Sequence, residues 1–221
     1  MIDNMRYILK YTNEIEIKQL LFLVNNPSYN TNYFIDICAI IKCNNHYYCI
    51  FEVLMCDLEY ILPTINNKYK FLYLLQALFA IYHFNHEIGL FHNDLYYENN
   101  IRNIMLYDTY FNTNLTHNKK NTISLNDIII QIPTYGVKII DFEWSDHQPQ
   151  LRTLEYHNKY FIDVNHVSEI LIFIYIYFKS FGIDLYENLI KKVNIIKHYD
   201  RKIFDYKLIQ YIYIKYMKLK K

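Results

Sequence analysis

The sequence predicts an α+β protein of two unequal parts: a small strand-rich part over residues 1–56 and a larger, mainly helical part over residues 57–221. Three observations carry this. Two β-branched and aromatic runs, YFIDICAII and HYYCIFEVLM, flank the short polar stretch Lys42 to Asn45, as the strands of a hairpin do. Beyond Met55 the apolar residues change to helical spacing through CDLEYILPTINNKYKFLYLLQALFAIYHFNHEIG. The length, 221 residues with 52% hydrophobic and 18% aromatic side chains, suits one domain or two small lobes sharing a cleft.

MRYILKY, residues 5–11, fits a strand. NEIEIKQLLFLVNNP follows with Ile17, Leu20, Leu21 and Val24 on one helical face, Asn13 as its N-cap and Asn25, Asn26 and Pro27 as its stop. The segment after Cys56 holds two amphipathic helices, the longer from about Lys68 to Glu87, ended by Gly89. NIMLY and YGVKIIDF read as a second strand pair, interrupted by a polar insertion over about 108–126 that reads as a surface loop. Asp163 to Phe181 and Ile183 onward read as helices, and KYMKLKK places cations at a helix C-terminus.

Composition excludes more than it selects. Lys+Arg 23 against Asp+Glu 22 leaves a net charge of +1, so no overall field favours nucleic acid or an anionic membrane. Twenty-five tyrosines beside three glycines and four prolines point to A/T-biased codons, so isolated Asn and Tyr matches carry little weight. Cys38, Cys43, Cys49 and Cys56 form no CxxC pair, and buried free thiols are expected. No signal peptide opens the sequence, and the longest apolar run, Ile170 to Phe178, is too short to span a bilayer. A soluble, cytoplasmic protein is expected. His83 and His86 read as ordinary helix histidines, and Trp144 as packing beneath the loop after Asp141.

Two acids stand apart because each borders apolar strand residues: Asp94 in FHNDLYYENNIRNIML and Asp141 in VKIIDFEWS. Such a pair, with an amide oxygen nearby, suits Mg²⁺, which takes few protein ligands and completes its shell with substrate phosphates.

In these segments the chain resembles the protein kinase superfamily. His92, Asn93, Asp94 and Leu95 match the family's H-R-D-L, and Asn99 stands at the usual five-residue separation, with Asn103 as the alternative because three apolar residues follow it. Asp141 and Phe142 are similar to the start of D-F-G, and FIDVNHVSEIL to the helix whose opening aspartate, here Asp163, supports the catalytic loop. Upstream, Lys10 resembles the lysine of V-A-I-K and Glu16 its helical partner.

The resemblance implies a two-lobe kinase-like fold with a truncated N-lobe, and ATP and Mg²⁺ as cofactors. His92 and Asp94 would be catalytic, Asp94 accepting the hydroxyl proton. Lys10 and Glu16 would bind the nucleotide, and Asn99 (or Asn103) and Asp141 the metal. The implied partner is a protein substrate phosphorylated on Ser or Thr.

Departures from the family pattern keep two other readings open. Only nine residues precede Lys10 and none is glycine, so the glycine-rich lid is not expected. Glu143 replaces the third residue of D-F-G, Asn93 the arginine of H-R-D, and Tyr96 the usual lysine two after the aspartate. A pseudokinase that binds a partner chain fits these losses. A small-molecule kinase resembling the choline and aminoglycoside kinases fits the acid after "DF". The compactness resembles kinases of poxviruses and other large DNA viruses, which implies host cytoplasm or virion.

Overall fold

The computed structural model describes residues 7–98, 100–109, 122–181 and 186–220. These form a mixed α+β structure with small antiparallel sheets. The first sheet is built from β1 (Tyr7–Thr12), β2 (Ile37–Cys43) and β3 (His46–Glu52) in the order β1-β3-β2. Between β1 and β2 lies α1 (Glu14–Asn25), capped by Asn13, whose Oδ1 accepts the Glu16 N–H at 2.8 Å.

Ile17 and Leu20 of α1 are buried as expected, but the third core position is Leu23, and Leu21 and Val24 face solvent. The β2–β3 connection is tighter than the sequence suggests. Strand pairing continues to Cys43↔His46, and Asn44 turns the chain with φ 54°, a left-handed conformation asparagine tolerates well. Of the four thiols only Cys49 is buried. Cys38 and Cys43 are exposed because they fall on or beside the outer face of an edge strand, and Cys56 is half-buried.

The second sheet has the order β10-β7-β4, from β4 (Cys56–Asp57), β7 (Ile104–Asp108) and β10 (Tyr135–Ile139). It carries the strand pair expected from NIMLY and YGVKI. The span read as a polar loop is partly strand. β8 (Thr122–Leu125) and β9 (Ile128–Gln131) make a hairpin turned at Asn126 (φ 51°), with Ile123, Ile128 and Ile130 buried, while 110–121 lie outside the described residues. Alternation of apolar and polar residues in TISLNDIIIQ fits a half-buried hairpin.

Helices make the centre. A short α2 (Leu58–Ile61) leads into α3 (Asn67–His83), which is buried almost all round and therefore lies inside the larger part. It continues as one wider turn, Phe84–Ile88, stopped by Gly89 at φ 85°. The segment after Asp141, read as a loop, contains α4 (Leu151–Tyr160). The helix expected from Asp163 starts later, as α5 (Glu169–Ser180), with Ser168 as its N-cap. The last helical stretch divides into α6 (Tyr186–Ile196) and α7 (Arg201–Lys220). No described helix is long and apolar enough to cross a membrane.

The two parts are joined by backbone as well as by side chains. Phe34 bridges Ile139 in parallel, with Ile35 N–H donating to Ile139 O at 3.1 Å and Ile139 N–H to Tyr33 O at 2.9 Å. On the connecting segment after β3, Met55 N–H donates to Leu106 O at 2.8 Å. Buried Lys138 pairs with Glu52, so a charge at the seam is neutralised on site.

Candidate active site

Lys10 on β1 and Glu16 on α1, six residues apart, are brought together by the turn at Asn13 that ends the strand and caps the helix. Lys10 Nζ lies 2.7 Å from Glu16 Oε1 and 3.6 Å from Asp141 Oδ1. Burial pulls the Lys10 ammonium down, but its bond to Glu16 and the charge of Asp141 outweigh this and leave its pKa raised. Burial, helped by the charges of Asp141 and Glu143, raises Glu16 despite the lysine.

Asp141 follows β10 in a left-handed conformation, φ 60°, which aspartate and asparagine adopt more readily than other residues with a side chain. Its Oδ1 is buried and accepts no hydrogen bond. The next residue fixes it there: Phe142 is fully buried against Phe34, Phe84 and His92, with ring centroids 5.5–6.0 Å apart. Glu143 is drawn to the small part, accepting from Asn13 Nδ2 at 2.7 Å, and Gln19 Nε2 donates to Ser145 O at 2.8 Å. Trp144 does not pack beneath this loop. It is 53% exposed, because its neighbours on either side are the ones tied inward.

Asp94 belongs to a second polar cluster. Its carboxylate meets Arg152 Nη1 at 2.6 Å through Oδ1 and Asn103 Nδ2 at 3.0 Å through Oδ2, and Asn103 also donates to the Asp94 carbonyl at 2.8 Å. Asn99, the residue favoured by spacing, lies outside the described residues. Between Asp94 and Asn103, β5 (Tyr96–Tyr97) pairs with β6 (Asn100–Ile101), and Asn103 reaches back to the Asp94 loop. Its φ of 56° and its carbonyl, which accepts the Ile140 N–H at 2.9 Å, tie Asp94 to the residues that join β10 to Asp141.

His92 is fully buried and completes that tie. A carbonyl can only accept, so the Nε2–H donates to Ile140 O at 2.8 Å, and Nδ1 is left as a buried acceptor without a partner. Burial lowers its pKa, against the charges of Glu169, Asp94 and Asp141, so the ring is neutral. Expected to be catalytic, His92 is placed in the core, where it positions the two acids from behind.

The carboxylate beneath the loop is Glu169, fully buried at the start of α5. Its oxygens accept the backbone N–H groups of His92 (3.1 Å) and Asn93 (2.8 Å) and the amide of Asn85 (2.9 Å). Asp163, expected in this role, is exposed in the turn before the helix. The sequence signal for Glu169 was an acid adjoining the most apolar run in the chain, where a charge survives only if several donors meet it.

Asn93, at φ 65°, holds the segment after Asp141 in place. Its amide donates to Trp144 O and Gln148 O, and its Oδ1 accepts from Gln150 N (2.9 Å) and Thr153 Oγ1 (3.0 Å). Arg152, missed in the sequence, is thereby delivered to Asp94. It is one of only four arginines in a lysine-rich chain, the one signal that could have marked it.

Among the described residues there is no group of three His, Cys, Asp or Glu side chains that could hold a metal ion. Magnesium needs no such group, and the Asp141 carboxylate, whose Oδ1 accepts no hydrogen bond and has the Lys10 ammonium at 3.6 Å, suits it together with the amide oxygen of Asn103. A search of protein-family models and of curated proteins gives no match to the chain.

Proposed function

We propose that the chain is an ATP-dependent phosphotransferase that moves the γ-phosphate to a hydroxyl group, with a protein serine or threonine as the acceptor. One observation carries this reading. A lysine–glutamate–aspartate cluster and an aspartate–asparagine–arginine cluster share one hydrogen-bonded frame through Ile140 and His92. The order β1-β3-β2, with the lysine on an outer strand and the glutamate on the helix that follows, agrees with the kinase resemblance.

Phosphoryl transfer asks a protein mainly to position groups and offset charge. Lys10, oriented by Glu16, binds the nucleotide phosphates as a point charge. Asp94 orients the acceptor hydroxyl and takes its proton; a carboxylate retains unused lone pairs after accepting two hydrogen bonds. Asp141 and Asn103 would hold magnesium, which neutralises phosphate charge when bound.

A small-molecule acceptor is the second reading. It is favoured by the way the segment after Asp141 turns directly into α4 and is pinned by Asn93, which leaves little extended surface for a peptide.

The test is transfer of label from γ-labelled ATP with Mg²⁺ to casein-like protein and to choline-like alcohols in parallel, with a thermal-shift assay beside it. MgATP at about 100 times its Kd should stabilise by about 2.7 kcal/mol, raising Tm by roughly 5–10 °C for a chain of this length. Asp94→Asn should lower transfer about 10²- to 10⁴-fold. Neither shift nor transfer would refute the reading and leave a partner-binding role.

A further inference from the structure

Arg152 is half-exposed on the second residue of α4, yet three contacts fix its place. Gln150 N–H and Thr153 Oγ1, on either side of it, both donate to Asn93 Oδ1, and Tyr96 OH donates to Thr153 Oγ1 at 3.2 Å. The residue adjoining Asp94 thus sets where Arg152 arrives. The guanidinium then meets Asp94 Oδ1 at 2.6 Å and lies over the Tyr97 ring, 5.1 Å from its centroid.

A guanidinium has five N–H donors, and only one of Arg152's is used among the described residues. The rest are available beside the carboxylate proposed to take the acceptor proton. Lys10 is held away from Asp94's cluster by its own pairs with Glu16 and Asp141. Tyr96, two residues after Asp94, is fully buried and supports Thr153.

We infer that Arg152 is a catalytic residue of the proposed transfer, the acceptor-side cation that meets the γ-phosphoryl oxygens. The inference rests on the phosphotransferase reading. In the step, the acceptor hydroxyl oxygen forms a bond to the γ-phosphorus and gives its proton to Asp94. The bond from that phosphorus to the β,γ-bridging oxygen breaks, and its electron pair leaves on the nucleoside diphosphate. Asp94 loses its charge as it takes the proton, so its hold on Arg152 weakens while negative charge is spread over the phosphoryl oxygens. Attraction moves from the carboxylate to the phosphoryl group, where a forked donor fits planar oxygens.

The experiment uses the full chain with MgATP and whichever acceptor it phosphorylates, comparing wild type with Arg152→Ala and Arg152→Lys. The expected result for Arg152→Ala is a kcat loss of about 10²- to 10³-fold, with KM for ATP and Tm little changed. Added guanidinium ion should restore part of kcat, and lysine should retain more than alanine. An unchanged kcat, or a loss that guanidinium does not relieve, overturns the inference, the second because it marks a packing role. Transfer by wild type to no acceptor would bring down the phosphotransferase reading itself, and this inference with it.

Discussion

Lys10 sits between two carboxylates, and the arrangement sets what its loss should do. With Glu16 at 2.7 Å and Asp141 at 3.6 Å, the ammonium is charged and aimed. Lys10→Met removes one charge-assisted contact worth about 1.5–3 kcal/mol, so nucleotide affinity should fall about ten- to a hundredfold, as isothermal titration would measure. Unchanged affinity would mean that the cluster only holds the sheet to its helix. His92 has a different signature. Burial lowers its pKa below the ordinary value of 6.5, so the unfolded chain binds the proton more readily. Stability contributed by the neutral ring is full above 6.5 and is lost as pH falls below it. Denaturation midpoints measured from pH 7.5 to 5 should drop for wild type more steeply than for His92→Gln. Equal slopes would show that other groups, such as the half-buried His166, carry the whole effect.

Among the elements, α5 does for the site what no single loop residue could. Asp205 on α7 accepts from His86 at 2.7 Å and from the Ser168 hydroxyl, and Ser168 caps α5 by accepting from Leu171 N–H. That relay sets the first turn of α5, where Glu169 collects three donors from beneath the Asp94 loop. Glu169→Ala leaves those donors buried and unpaired, so it should cost roughly 3–5 kcal/mol by chemical denaturation and abolish transfer together with stability. On the second sheet, Gly136 of β10 faces Tyr107 of β7 so closely that an added Cβ would strike the ring. The ring in turn lies under Lys138 Nζ, 4.9 Å from its centroid, and has little room to retreat.

At the scale of the whole molecule the small sheet is not an appendage. Backbone bonds at Phe34–Ile139 and Met55–Leu106, the Lys138–Glu52 pair, and the Asn13 and Gln19 contacts to 143–145 all cross between the parts. Unfolding should therefore be one cooperative transition. Cys49, buried in β3, offers the probe. Its labelling by a thiol reagent should follow the same denaturant midpoint as the loss of helical circular dichroism, after the exposed Cys38 and Cys43 have reacted. Earlier labelling would mean that the sheet opens by itself.

The amino-acid sequence by itself determined the elements whose signal is local. Asn13 as a cap, α3 with its Gly89 stop, the two-strand pattern around Asn44, and the strand pair of β7 after Asn103 and β10 before Asp141 all follow from periodicity and turn chemistry acting over a few residues. It also singled out Asp94 and Asp141 as acids beside apolar residues, while Lys10, Glu16 and Asn99, with Asn103 as its alternative, came from the kinase resemblance. Only the tertiary structure decided which polar groups meet. Asp163 and Glu169 are six residues apart, and nothing in their spacing says which turns inward. Burial decided it, since the acid that goes under must find donors and only Glu169 has them. Likewise α4 and Arg152 depend on Asn93, some sixty residues away, and the side on which β8–β9 buries its isoleucines is set by the core they join. Such contacts join distant parts of the chain, and a one-dimensional pattern carries no record of them until the core has closed.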